Sequence, residues 1–285
     1  MRMIRTTFLL GALTLFLMLV GQYFGGRNGM TLGLGIAMCT NAFAYFFSDK
    51  IALLSSGARP VSPEELPRLY AVMERLAAKA SLPVPKLYVI PEAAPNAFAT
   101  GRNPRHASVA VTEGLLQLMN DDELEGVIAH ELSHVRNYDI LISSIAATLA
   151  GAITWIAHWG PWLGGGDRDD RERGGGAGVF GLLLFFLAPI GAMLLQLGLS
   201  RQREFSADET GARMVGQPYG LMSALQKLGA YNQRIPTTSL SPSTSALCIV
   251  KPLFGSGTWS SLFSTHPPLE KRIQALREMT ITPQR

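Results

Sequence analysis

The chain has 285 residues, of which 47% are apolar and only 16% charged, with a formal net charge of +4 and a pI near 9.2. A charge content below the roughly 25% of ordinary soluble domains puts it in a membrane class. The basic excess forms no stripe with interleaved aromatics, which excludes a nucleic-acid partner, and two cysteines, Cys39 and Cys248, make neither a disulfide framework nor a thiolate metal cage.

Four stretches carry no Asp, Glu, Lys or Arg over a length that spans a bilayer: Thr6 to Gly26, Asn28 to Ser48, Ile140 to Gly166 and Gly174 to Ser200. Each exceeds the about 20 residues that a helix needs to cross a hydrocarbon core. Arg2 and Arg5 before the first run also fit a secretory signal, but no small-residue cleavage site stands out and a second apolar run follows at once. Arg2, Arg5, Lys50, Arg59, Arg136, Arg201 and Arg203 flank the runs on one side, against Arg27, Arg168, Arg171 and Arg173 on the other. The excess makes the first side cytoplasmic. The chain then divides into two N-terminal transmembrane helices (1–48), a cytoplasmic part (49–139), a transmembrane hairpin (140–200) and a second cytoplasmic part (201–285).

Within the first cytoplasmic part, "SPEELPRLYAVMERLAAKA" predicts a helix with Ser62 as cap, Pro63 at the first helical position and Glu65 three residues after the cap. "KLYVI", "NAFAT" and "SVAVT" are short β-rich runs broken by Pro, Asn and Gly, and predict a small sheet from Lys86 to Thr112. A helix resumes after Asn120, capped by that residue with Glu123 in the capping-box position, and runs on into the third span. Beyond the fourth span, "SRQREFSADETGARMV" is helical up to Gly216 and Pro218, and another helix covers Tyr219 to about Asn232. "PTTSLSPSTS" reads as a mobile loop, "ALCIVKPLF" as core or as a segment resting on the bilayer, and a last helix starts near Pro267.

The helix after Asn120 carries "HELSH". His130 and His134, four apart, share a helix face and can offer both imidazoles to one ion. Glu131 lies about 100° round from His130, placed to address a water on that ion as general base. Imidazole nitrogens suit Zn²⁺, which in catalytic sites takes three protein ligands, lowers the pKa of its water to about 7 and polarises a scissile carbonyl. Position 140, where a third histidine would complete one zincin pattern, is Ile140. Glu204 is the best candidate for the third ligand. His134 stands six residues before the third run and Glu204 four after the fourth, so at ~1.5 Å per residue both lie roughly 6 to 9 Å below the same membrane face. Asp208, one turn on, is placed to accept from a ligand histidine's other nitrogen. Asp139 either serves a similar purpose or marks the water boundary.

"HELSH", "SRQREFSADETGA" and "STHPPLEKRI" together resemble the HtpX-type membrane metalloproteases, relatives of the CAAX prenyl endoprotease, over nearly the whole chain. The resemblance implies a mainly α integral membrane protein with four transmembrane helices and a cytoplasmic α+β zincin-like (gluzincin) catalytic domain holding a small β-sheet. It implies one zinc on His130, His134 and Glu204 with Glu131 as general base or acid. It also implies a bacterial inner-membrane enzyme that degrades misfolded or damaged membrane proteins under stress. By the same resemblance Asn96, Ala97 and Phe98 lie on an edge strand where substrate adds as an extended strand, and His266 and Arg272 line the cleft and stabilise the oxyanion. The partners so implied are unfolded membrane proteins and the bilayer, in an oligomeric state that the sequence leaves open. Two rival classes have weaker support. A transporter would carry ionisable residues within its spans, and an adaptor with a purely structural metal would not need Glu131.

Overall fold

The computed structural model describes residues 2–146, 201–234 and 267–279. Helix α1 (Arg2–Ser55) is two helices joined at Gly25 and Gly26, with φ/ψ of −140°/16° and 56°/−142°. The second pair belongs to a region that only glycine enters at low cost, so the turn is written into the sequence. The arms run back along each other, and Asn41 Nδ2 donates to Leu10 O (3.2 Å) and Thr14 Oγ1 (2.9 Å) across the interface. Gly25–Ser55 is, among the described residues, the one helix long and apolar enough to cross a membrane. The two predicted N-terminal runs thus form a hairpin whose second arm continues past Ser48 to Ser55. Apart from 140–146, the third and fourth apolar runs lie outside the described residues, as do "PTTSLSPSTS" and "ALCIVKPLF".

The sheet has four strands, β1 (Arg59–Pro60), β2 (Lys86–Ile90), β3 (Ala97–Gly101) and β4 (Ala107–Thr112), in the order β1-β2-β4-β3. β2 and β4 are parallel, and the other two pairings antiparallel. Alternation along each strand sorts the side chains. Leu87, Val89, Ala97, Ala99, Val109 and Val111 join the main core, whereas Ile90, Phe98 and Ala110 pack with Ala52 and Leu53 at the end of α1. Both faces are therefore covered, one by the main core and one by the end of α1.

Helix α2 (Pro67–Ala80) begins later than the Ser62 cap predicts. Residues 63–65 form a turn in which the N–H groups of Glu65 and Leu66 both donate to Ser62 O at 3.2 Å. Pro67 lacks an N–H and its ring would clash with the carbonyl four residues back, so it starts the helix rather than riding inside it. A short helix α3 (Glu113–Leu118), not anticipated from the sequence, is capped by Thr112 Oγ1, which accepts from Leu115 N–H at 3.1 Å. Helix α4 (Asp121–Arg136) has the predicted capping box, with Glu123 N–H on Asn120 Oδ1 and Asn120 N–H on Glu123 Oε2, both 2.9 Å. It does not run unbroken into the third apolar run. Asn137 and Tyr138 make a turn, Tyr138 sits at φ 59°, and a new helix starts at 139.

Three helices complete the described part: α5 (Arg201–Val215), α6 (Tyr219–Arg234) and α7 (Leu269–Glu278). α4 is the hub. Its Glu123 carboxylate, while capping, also accepts from Ser223 Oγ (2.6 Å) and Lys227 Nζ (2.7 Å) of α6. The two helices approach so closely at Gly126 that an added Cβ would stand 2.5 Å from Leu221 N. Backbone cannot yield as a flexible side chain does, so Gly126→Ala should destabilise the protein by about 1–3 kcal/mol. Gly35→Ala, where nothing lies within 4 Å, should not. Thermal unfolding of both variants in detergent against the parent checks this, and an unchanged midpoint for Gly126→Ala would show that the helices can part.

Candidate metal centre

α4 presents His130 and His134 from one face, and α5 runs antiparallel to it with Glu204, Asp208 and Gly211 on the facing side. Gly211 permits the approach, since a Cβ there would meet His130 N at 3.0 Å and Ala129 C at 3.1 Å. The ligand atoms of His130, His134 and Glu204 fall within 4.8 Å of one another. In detail, Nε2 to Nε2 is 3.2 Å, His130 Nε2 to Glu204 Oε2 is 3.6 Å and His134 Nε2 to Glu204 Oε1 is 3.6 Å. Tetrahedral coordination with bonds of ~2.0 to 2.1 Å separates neighbouring ligand atoms by about 3.3 to 3.4 Å. The two imidazole nitrogens stand near that separation and a different Glu204 oxygen faces each of them, so the three side chains could hold a four-coordinate metal with one position left for water or substrate.

The remaining imidazole nitrogens are held as well. His130 Nδ1 lies 2.9 Å from Asp208 Oδ1, and His134 Nδ1 lies 3.4 Å from Asp139 Oδ2. Arg203 sits 3.7 Å from the other Asp139 oxygen. Arg272 donates to both oxygens of Asp208, Nε at 2.8 Å and Nη2 at 2.7 Å, and its Nη1 is 3.5 Å from Glu204 Oε2. Burial would raise the Asp208 pKa, but the Arg272 charge and hydrogen bonds and the His130 contact outweigh it and hold this carboxyl below its ordinary value. Burial alone would lower Arg272, yet Asp208 and Glu204 keep it above its ordinary value. For His134, burial favours the neutral ring but is overcome by the Asp139 hydrogen bond and the charges of Glu204 and Glu131, so its pKa rises.

Glu131 is 3% exposed. Burial pushes its pKa above the ordinary carboxylate value, against the lowering pull of both histidines and of the Ala99 backbone N–H, from which it accepts. That donor belongs to β3. Thr112 N–H bonds Asn96 O at 2.9 Å, so by alternation Ala97, Ala99 and Gly101 turn their N–H groups to the free edge of the sheet. All three are engaged: Ala97 with its neighbour Asn96 Oδ1 (2.9 Å), Ala99 with Glu131, and Gly101 with Ser144 Oγ (3.5 Å). Thr100 Oγ1 also meets Ser144 Oγ at 2.7 Å.

The sequence-derived residues thus gather unevenly. His130, Glu131, His134, Glu204, Asp208 and Asp139 lie at one place. Asn96 and Ala97 stand at the start of the neighbouring edge strand, and Phe98 points to the opposite face, toward α1. Arg272 is 1% exposed and faces Asp208 behind the ligands; it does not line an open cleft as expected. His266 lies outside the described residues. Sequence reasoning missed Ala99, Gly211 and Ser144. Gly211 alone left a trace, as the small residue seven after Glu204 on the same helix face.

Residues 63–280 match the family model "Peptidase family M48". The chain is 54% identical over 277 residues to a "Protease HtpX homolog" of Desulfatibacillum aliphaticivorans, covering 96% of this chain and 88% of that protein. It is 50% identical over 284 residues to the homologue of the same name in Pelotomaculum thermopropionicum, covering 99% and 100%. Among solved structures it resembles the crystal structure of S. mikatae Ste24p, with a TM-score of 0.52 at 20% identity over 96% of this chain. The chain spans 65% of the length of that structure, and at this identity the likeness concerns the fold alone. With His130 and His134 on a helix of HELSH sequence gathered with Glu204 of α5, and relatives at half identity along its length, the chain belongs to peptidase family M48 and is a metalloprotease.

Proposed function

We propose that the protein is a membrane-anchored, zinc-dependent endopeptidase that cleaves extended segments of misfolded or damaged membrane proteins at the cytoplasmic face of a bacterial inner membrane. The observation that carries the reading is the cluster of His130, His134 and Glu204, whose imidazole nitrogens lie 3.2 Å apart and each 3.6 Å from its own oxygen of the Glu204 carboxylate. Two imidazoles and a carboxylate match zinc chemistry. When bound, the ion supplies Lewis acidity to water and to the scissile carbonyl. Glu131 takes the proton of the attacking water and returns it to the leaving amine. The Ala99 N–H fixes the carboxylate, so base and edge strand keep one register.

An extended substrate would add at the edge of β3 beside Asn96, Ala97 and Phe98, using its free carbonyls and exchanging partners at the Ala97, Ala99 and Gly101 N–H groups that the chain itself engages. Asp208 orients His130 by accepting from Nδ1, and Asp139 does the same for His134. Arg272, with its donors on Asp208, is a positioning residue for the two α5 carboxylates, which leaves oxyanion stabilisation to His266. The cytoplasmic orientation rests on the Lys and Arg bias, and the membrane substrate class on the site's position next to apolar helices.

Glu131→Gln should keep one zinc per chain and lose proteolysis of an unfolded membrane substrate by a factor of about 10² to 10⁴, whereas Glu204→Ala should lose the metal. Zinc analysis beside a cleavage assay decides both, and unimpaired cleavage by Glu131→Gln would remove the assigned base. Asp208→Asn should weaken zinc binding by about 10- to 100-fold in chelator competition; an unchanged affinity would mean that His130 needs no second partner. The raised His134 pKa adds a sign. In the metal-free protein its contribution to stability is complete below the ordinary value of 6.5 and disappears as pH rises through the higher folded value. Zinc has to displace that proton, so calorimetry at neutral pH in buffers of different ionisation enthalpy should register proton release.

A further inference from the structure

A second pocket, of about 520 Å³, uses none of the residues of the metal centre. Its walls come from four separate parts of the chain: Tyr45 on α1, Ser81 after α2, Arg102, Asn103 and Arg105 in the β3–β4 turn, and Tyr138 in the break after α4. Leu141 closes one side. Such a volume lies in the usual range of small-ligand sites.

Its level in the molecule follows from the sequence. Tyr45 stands three residues before the second charge-free run ends at Ser48, and Leu141 is the second residue of the third run. The pocket therefore sits where two apolar helices meet the aqueous side, at the depth of lipid headgroups. Arg102 rests over the Phe46 ring at 5.7 Å, an arginine on an aromatic at the same depth.

The charge is one-sided. Among the described residues no carboxylate lines the pocket, and neither Arg102 nor Arg105 has a carboxylate partner. Two arginines, two tyrosines, a serine and an asparagine line a space to which no described residue brings a carboxylate. Two of its wall residues also stand at helix ends. Ser81 (φ 54°) and Tyr138 (φ 59°) are the two non-glycine residues with positive φ among those described, and both line this pocket. The left-handed turn at Ser81 is the C-cap of α2, and that at Tyr138 closes α4 with its N–H on Val135 O at 3.1 Å, so both helices end at the pocket wall.

We propose that this pocket binds the phosphate of an anionic phospholipid headgroup, with Arg102 and Arg105 as its charge partners and the Tyr45, Tyr138 and Ser81 hydroxyls and the Asn103 amide as donors. The proposal rests on the membrane-anchored reading above. Free phosphate shares the recognition chemistry, but only a lipid also uses the apolar side at Leu141. The Arg102–Arg105 turn continues directly from β3, and Ser144, one turn beyond Leu141, holds Thr100 and Gly101 at the end of that strand. A lipid seated here therefore fixes the far end of the edge strand whose middle holds Glu131.

The test uses the full chain in neutral detergent, offered equimolar phosphatidylglycerol and phosphatidylcholine with identical acyl chains, with retained lipid counted by native mass spectrometry. The parent should retain phosphatidylglycerol about tenfold over phosphatidylcholine, and R102Q/R105Q should bring that preference close to unity with zinc content unchanged. Should the double variant lose its metal, the exposed single substitution R105Q gives the same readout, with a partial loss expected. No preference in the parent, or an undiminished one in a metal-replete variant, overturns the proposal. Displacement of phosphatidylglycerol by millimolar inorganic phosphate alone assigns the pocket to free phosphate and overturns the lipid. A parent that stays monodisperse after all detergent and lipid are removed refutes the membrane anchor itself, an outcome distinct from a lipid-dependent protein that shows no headgroup preference.

Discussion

Three carboxylates, Glu131, Glu204 and Asp208, lie buried within a few residues' reach of one another, and their mutual repulsion is the constraint that the surrounding structure answers. An isolated buried carboxylate is too costly to persist ionised. Arg272 meets one of the three charges by its two hydrogen bonds to Asp208. With all three ionised and both histidines neutral, the deficit left is two, which is the charge of a divalent cation. A divalent cation held by His130, His134 and Glu204 would therefore also balance the charge of the core. The geometry that permits it is the close antiparallel approach of α4 and α5 over Gly211, which sets Glu204 against the histidines and Asp208 against His130.

The parts of this arrangement that were legible in the sequence are the ones fixed by local periodicity and by reach. The capping box at Asn120 and Glu123 depends on residues three apart, and the ligand face on residues four apart. The pairing of Glu204 with His134 follows from counting residues to one and the same membrane face. What stayed hidden depends on contacts made only after folding. Ser62 offered a valid cap signal, but Pro67 overrode it. The break at Asn137 and Tyr138 has no local signature, because tyrosine does not favour the left-handed conformation that the packed structure imposes. Ala99 donates to Glu131 through its backbone, so no side chain announces it. Arg272 was found by resemblance, but its place behind the ligands could come only from the ion pair with Asp208.

The relation between the edge strand and the base gives the site its internal coupling. β3 is tied at its start by Asn96, at its centre by Glu131 and at its end by Ser144, which belongs to the helix entering the third apolar run. A displacement of that helix is carried to the strand through two hydrogen bonds from one serine. The same strand leads into the turn of the second pocket, so three functional features share a single five-residue element.

The contact of Ala52 and Leu53 with Phe98 and Ala110 has a practical meaning for anyone wanting a water-soluble form of this enzyme. Cutting the chain after residue 55 to discard the anchor would strip the outer layer from the sheet and leave Phe98 and Ile90 facing solvent beside the catalytic edge. The N-terminal hairpin is a tether and, in its last turn, half of the sheet's packing, so solubilisation has to replace that turn rather than delete it.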